Sequence, residues 1–433
     1  MKKPRIMFLV ITICMLFMML SNLALADSFN WRQYQGQSIR FVGLKFYYNN
    51  FIAEKLPEFE KLTGIKVKME TYPEDQFRQK VVVELTGGSR DLDVFNTAGS
   101  CYEGHKFIQA GWYEPLNKYI SKSSLTNPGW DPNDFIPSVA NAQIVNGKRI
   151  AVPLNAVSWL LIYRKDLYQQ YGLNIPKTME ELRENSKKLT QDGVYGYVGR
   201  GKRTQSVATW SMFLHAFGGQ WLDKKRNPAI NSPQAIKALE FYADLMKNYA
   251  NPGAASNDWY DVQSLLQQGK AVQAIDASAW LGALVDPKSS KISETVSFAK
   301  MPDGPGGPVA DLWSWNLAIS NLSKKKGPAW YFVQWATSKE MQHYAQLKNT
   351  PSARTSAWNL PEFKKNTNPE WLKAVNESFA VARPILHPPV VAVSEIEDVI
   401  GEAIVNTILG RDDAKSALDR AAKEMKNIMD ATE

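Results

Sequence analysis

A chain of 433 residues, 44% hydrophobic and 22% charged, is long enough for two domains and apolar enough to bury a core, which excludes a disordered or fibrous protein. Its formal net charge is +8, of which Lys2, Lys3 and Arg5 supply three, and the rest of the excess is spread along the chain. The short basic clusters (Arg200, Lys202, Arg203; Lys224, Lys225, Arg226; Lys324, Lys325, Lys326) lack interleaved stacking aromatics, so they read as solvated surface and argue against a nucleic-acid partner.

At the N-terminus a basic stretch precedes an apolar run from Ile6 to about Leu20, then Ser21, Asn22 and Ala24-Leu25-Ala26. Small side chains at the −3 and −1 positions fit the shallow pocket of signal peptidase, so residues 1–26 are expected to be a signal peptide and Asp27 the mature start, with an uncleaved anchor as the alternative. Cys14 follows bulky Ile13, which speaks against a lipoprotein. Cleavage would leave Cys101 as the one cysteine, so a chain sent to an oxidising compartment would be stable through its core alone, without an intramolecular disulfide.

Ser38 to Leu44 reads as a strand, followed by the aromatic loop Phe46, Tyr47, Tyr48 and a helix toward Thr63 that stops at Gly64. Strict alternation over Ile65 to Met69 predicts a half-buried strand, and Glu74 to Thr86 a helix ended by Gly87-Gly88. Leu92 to Phe95 is a short buried strand opening into Asn96-Thr97-Ala98-Gly99. Strand, helix, strand, helix, strand is the pattern of an α/β sheet with parallel neighbours.

Beyond residue 150, Val157 to Tyr163 reads as a strand and Thr178 to Thr190 as a polar helix. Ser232-Pro233 is an N-cap with proline at the first helical position, and Ile236, Leu239, Ala243 and Met246 give that helix an apolar face. A helix from Asp258 to Gln268 stops at Gly269, and Ala271 to Ile275 is a buried strand. The Gly/Pro-rich run 301–308 is expected at a lobe boundary. Ser394-x-x-Glu397 reads as a capping box opening a helix to Gly410, and Asp412 or Asp413 as the cap of the last helix.

The four histidines (105, 215, 343, 387) show no metal-ligand spacing, and no nucleophile elbow, Walker loop or dinucleotide fingerprint occurs, so neither a metal nor a cofactor is expected. Polar and aromatic residues instead collect after strand ends, where open α/β sheets bind ligands: Asn96-Thr97, Pro153-Leu154-Asn155, Asp276 through Trp280, and Trp313-Ser314-Trp315-Asn316. Fourteen tryptophans, many near Gly, Asn or Asp, point to a site for carbohydrate, because an indole face packs on the C–H side of a sugar.

Several segments resemble the family 1 extracellular solute-binding proteins of ABC importers, and within them the sugar and polyol branch. They are Leu85-Thr86-Gly87-Gly88 with Asp93-Val94, Gly111-Trp112-Tyr113-Glu114-Pro115-Leu116, Gly147 to Pro153, Tyr163-Arg164-Lys165-Asp166-Leu167, Gly269-Lys270 with Asp276, and Leu312-Trp313-Ser314-Trp315 with Leu317-Ala318-Ile319. The resemblance implies a two-lobe periplasmic-binding-protein fold, class II-like, each lobe a mainly parallel sheet flanked by helices. Two or three crossing segments join a lobe of 27–154 plus 317–352 to one of 155–316 plus 353–433. It further implies a monomer that captures a sugar or polyol by hinge closure and delivers it to membrane permease subunits, without catalysis.

The resemblance and the strand-end positions nominate Tyr47, Asn96, Thr97, Tyr102, Asn155, Trp159, Arg200, Trp210, Asp276, Trp280, Trp313, Trp315 and Arg354 as ligand-binding residues. Each has a structural alternative. The tryptophans stack on ligand or fill the core; Asp276 accepts hydroxyls or caps a helix; Arg354 binds ligand or secures the last crossing. Arg200, if in the cleft, hints at an acidic sugar. Val157 stands where many relatives carry a sugar-binding glutamate. Competing functions are capture of another solute, such as an anionic sugar, a polyamine or ferric iron, and a secreted glycan-active enzyme.

Overall fold

The computed structural model describes residues 28–191 and 193–432, so the expected signal peptide lies outside the described residues. The strands are β1 Ser38–Leu44, β2 Lys66–Tyr72, β3 Val94–Thr97, β4 Ile144–Val145, β5 Lys148–Arg149, β6 Val152–Pro153, β7 Trp159–Arg164, β8 Gln273–Ala277, β9 Val296–Lys300, β10 Ala310–Asp311, β11 Asn316–Ile319 and β12 Ala382–Arg383. They build two main sheets in a two-lobe α/β fold. The first has the order β2-β1-β3-β11-β6, with β2, β1 and β3 parallel and β11 antiparallel to both neighbours. The second is β8-β7-β9, and both of its pairings are antiparallel.

That second sheet corrects the expectation of a mainly parallel sheet in each lobe. The reason is the direction of crossing. β7 begins at the cleft with Trp159 and runs away from it, whereas β8 and β9 run back toward it, so both oppose β7. β11 enters the first lobe from the cleft with Asn316 and is antiparallel to β3 for the same reason.

Local chemistry accounts for the element ends. The helix Tyr47–Thr63 closes on Gly64, whose φ of 71° a Cβ would disfavour and whose N–H donates to the Glu60 carbonyl. The helix begins at Tyr47 itself, so only Phe46 of the aromatic loop stays outside it. Thr178 and Glu181 form a reciprocal capping box, as do Asp258 and Asp261. Asp413 accepts from the Ser416 N–H at 2.9 Å and caps the last helix. The Ser394/Glu397 capping box is not formed. The helix Val393–Ile408 starts upstream on Ala392 with no side-chain cap, leaving both side chains free to face elsewhere.

Three extended stretches run side by side between the sheets. Val157 and Trp313 exchange backbone hydrogen bonds of 2.8 and 2.9 Å, the Leu154 N–H donates to the Trp315 carbonyl at 2.8 Å, and Asn155 bridges to Ser352. The run 301–308 lies between β9 and β10, where Asp303 pairs with Thr178 and Gly306 packs on the backbone of Gly218. It therefore precedes the second crossing instead of forming it. In the second lobe the helix Arg203–Ala216 is buried between Pro233–Asn248 and Val393–Ile408.

Asp311 sits one residue before this crossing, fully buried, and accepts the Ile385 N–H at 3.1 Å while its Oδ2 has no partner. Burial pushes its carboxyl up to about 8. The folded protein therefore keeps a proton that the unfolded chain releases near pH 4, so this group withdraws stability as pH rises from about 4 to about 8. Asp311→Asn should show a stability advantage over wild type, measured by urea unfolding, that grows across that window to a few kcal/mol and then levels off. An advantage independent of pH would contradict the assignment.

Candidate functional site

β1, β3, β6 and β8 end, and β7 and β11 begin, around one cavity of about 140 Å³. A buried water needs roughly 10–15 Å³ on this measure, so the space holds about ten waters or one small solute. Eight of the nominated residues line it: Tyr47, Tyr102, Asn155, Trp159, Arg200, Trp280, Trp313 and Trp315. Five of the chain's tryptophans face it, Trp259 among them, while Trp330 and Trp371 are core.

Arg78, which the sequence did not single out, is the main charged group on the first lobe's side. The helix Glu74–Thr86 carries it between Glu74 (Nε–Oε1 3.0 Å, Nη2–Oε1 2.8 Å) and Glu103 (Nη1–Oε2 2.7 Å). Its guanidinium covers the rings of Tyr102 at 4.2 Å and Trp315 at 5.0 Å. Burial works against its charge, but the two glutamates outweigh that and hold Arg78 more firmly protonated than usual. Thr97 stands behind this group. Its hydroxyl donates to Glu103 at 2.6 Å, so it braces Glu103 and does not reach the cavity.

Arg200 occupies the second lobe's side. It pairs with Asp276 through Nε–Oδ2 at 2.9 Å and through Nη2–Oδ1, and lies over Trp159 at 4.6 Å and Trp280 at 5.8 Å. Burial pushes the Asp276 carboxyl up, and Arg200 partly offsets this. Asp276 is fully buried behind Arg200 and does not line the cavity, a correction to its nomination. Its carboxylate is committed to the guanidinium and to the Ala277 N–H at 2.7 Å.

Three other nominations are also corrected. Asn96 is buried in β3, the central strand of the first sheet, accepting from Leu44 N–H at 2.9 Å and Asn49 Nδ2 at 2.6 Å. Trp210 is a core residue against Trp221. Arg354 is fully buried away from the cavity, donating to the carbonyls of Thr337, Asp131 and Trp130 and to Asp134 at 3.3 Å. A long polar side chain this deep needs its donors answered, and the carbonyls of 130, 131 and 337 with the Asp134 carboxylate answer them.

Polar contacts tie the two walls together at the mouth. Tyr47 donates to Gln263 at 2.8 Å, Trp259 Nε1 to Glu74 at 3.1 Å, Tyr260 to the Lys45 carbonyl at 3.1 Å, and Lys202 to Asp75 at 2.7 Å. Burial raises the Tyr47 phenol to about 12, partly offset by Gln263, so it stays a donor. Val157 and Ala277 add apolar surface, and His387, Glu397 and Gln205 are among the polar lining.

Two α/β lobes joined by extended crossings that pair side by side, with a small aromatic and polar cavity between them, define a two-lobe solute-binding protein. The family model for bacterial extracellular solute-binding protein matches residues 47–343, and the chain belongs to that family. The mannitol-binding protein of Pseudomonas aeruginosa is 29% identical over 85% of this chain and 88% of its own. A solute-binding protein of an ABC transporter from Agrobacterium vitis, solved with bound D-mannitol, is 29% identical with a TM-score of 0.82, covering 92% of this chain and 99% of its own. One from Agrobacterium radiobacter in complex with ribitol is 26% identical with a TM-score of 0.84, covering 91% and 99%.

Replacing Arg200 would strand the Asp276 carboxylate, and breaking a buried pair typically costs about 3–5 kcal/mol. Arg200→Met should therefore lower the melting temperature of the ligand-free protein, and Arg200→Met with Asp276→Leu should recover most of the loss. A single variant as stable as wild type would show that Asp276 is not held by Arg200.

Proposed function

We propose that this protein captures a neutral polyol or small neutral sugar in the periplasm and hands it, unchanged, to the permease subunits of an ABC importer. The observation that carries the reading is charge compensation. Each cation at the cavity is already paired within the protein: Arg78 with Glu74 and Glu103, Arg200 with Asp276, Lys202 with Asp75. An anionic sugar would find no positive charge to answer its own, so the acidic alternative raised by Arg200 falls away. A guanidinium has five N–H donors; Asp276 takes two from Arg200, and Glu74 and Glu103 take three from Arg78. The remainder suit hydroxyls, and the indoles suit the C–H faces between them.

The reading places one lobe at 27–154 with 317–352 and the other at 155–316 with 353–433, closing about the three crossing stretches as a monomer. The bonds of Tyr47, Trp259, Tyr260 and Lys202 would hold the closed form, adding to what the bound solute contributes to closure and opposing its release. The small cavity favours a single short solute over an oligosaccharide. The alditols named with the similar proteins fit that size and neutrality.

In a thermal-shift and calorimetric screen of the mature chain, alditols of five or six carbons should stabilise it. A ligand at a hundredfold its dissociation constant adds about 2.7 kcal/mol. Binding should be one to one, with the ligand recovered intact. Stabilisation by uronates or amino acids and by no neutral polyol, or conversion of the ligand, would overturn the reading.

A further inference from the structure

The Ser394-x-x-Glu397 pattern, which local rules assign to a helix cap, makes no cap in the structure. Its residues face the cleft. Ser394 Oγ lies 3.3 Å from the Tyr102 hydroxyl, Glu395 pairs with Lys106 at 2.7 Å, and Glu397 lines the cavity although only 1% exposed. The first turn of Val393–Ile408 thus touches first-lobe residues while its middle packs on the start of Arg203–Ala216, where Gly401 meets the backbone of Arg203 and Thr204.

Glu397 differs from the other carboxylates there. Glu74 and Asp75 are taken by Arg78 and Lys202, cations with permanent charge at neutral pH. Glu397 instead bonds His387 Nδ1, and its remaining close neighbour is the Tyr102 phenol, whose ionisation burial and Glu397 together oppose. The His387 ring is fixed between Trp313 (5.0 Å) and Tyr102 (4.6 Å), so its Nδ1 holds one carboxylate oxygen in a set orientation and leaves the other toward the cavity. A buried carboxylate with spare acceptor capacity against a cavity needs donors, and polyol hydroxyls supply them.

We infer that Glu397 is a specificity-determining ligand residue, the acceptor for ligand hydroxyls on this wall, and that His387 is its positioning residue. The inference rests on the polyol reading and deepens it. The site then has donors from both lobes, Arg78 and Arg200, and a carboxylate acceptor on the helix Val393–Ile408. Because that helix also contacts Tyr102 and Lys106, a ligand held by Glu397 joins the same walls that closure brings together.

The test is calorimetric titration of wild type, Glu397→Gln, His387→Gln and Ser394→Ala with the best-binding alditol and its monodeoxy analogues. A hydrogen bond to a charged group contributes about 1.5–3 kcal/mol, so Glu397→Gln should weaken the parent alditol by roughly 10- to 100-fold. For the analogue lacking the hydroxyl that Glu397 accepts, the loss should shrink to under about threefold, a change that a merely structural role would not produce. His387→Gln should weaken binding less, and Ser394→Ala should leave it within about twofold. Melting temperatures of the ligand-free variants report whether each is folded. Glu397→Gln with wild-type affinity, or with an equal loss for every analogue, would overturn the inference alone. Absence of alditol binding by wild type would overturn it together with the polyol reading.

Discussion

Everything at this site depends on keeping two guanidinium groups buried beside tryptophans without leaving them to a ligand. Removing an ion from water is expensive unless geometry and hydrogen bonds replace the solvent. Glu74 and Glu103 do this for Arg78, and Asp276 does it for Arg200, each from a different element than its neighbour across the cavity. The result is a pocket rich in directed donors in which each guanidinium is already answered by a carboxylate of the protein. Hydroxyl groups match such a surface; carboxylates and phosphates do not.

The fold supplies the geometry by running its crossings side by side. Val157 and Trp313 share a backbone pair, and Asn155 Oδ1 accepts the Trp315 N–H at 2.8 Å, so the two indoles are set by the hinge itself. In the proposed closure, movement of the lobes would re-aim Trp313 and Trp315 relative to Trp159 and Trp280. Cross-cleft bonds such as Tyr47–Gln263 and Lys202–Asp75 lie at the rim, where they oppose reopening. The mouth and the floor are thus controlled by different residues.

Much of this was legible in the sequence because it obeys local rules. Gly64, Thr178 and Asp258 mark helix ends that the structure reproduces, strand-end positions led to Trp280, Trp313 and Trp315, and the family resemblance led to Trp159. What stayed hidden depends on tertiary placement. Glu74 and Arg78 look like an ordinary i,i+4 pair on an exposed helix, and only packing over Trp315 turns that helix face inward. Glu397 satisfied a capping pattern that the real helix start, upstream at Val393, left unused. Arg354 and Asp276 share the composition of ligand residues, yet their partners are the protein's own carbonyls and guanidinium. A sequence shows which side chains carry charge, not which have already found a partner.

The claim at the centre is that a neutral polyol occupies the space between the paired arginines. A crystal structure of the mature protein grown with a six-carbon alditol tests it most directly. The account predicts density for the alditol against Trp159, Trp280 and Trp313, with Arg78–Glu74 and Arg200–Asp276 intact and hydroxyls within hydrogen-bond distance of the guanidinium groups. An empty cavity at saturating alditol, or either arginine released from its carboxylate to bind an anion there, would contradict it.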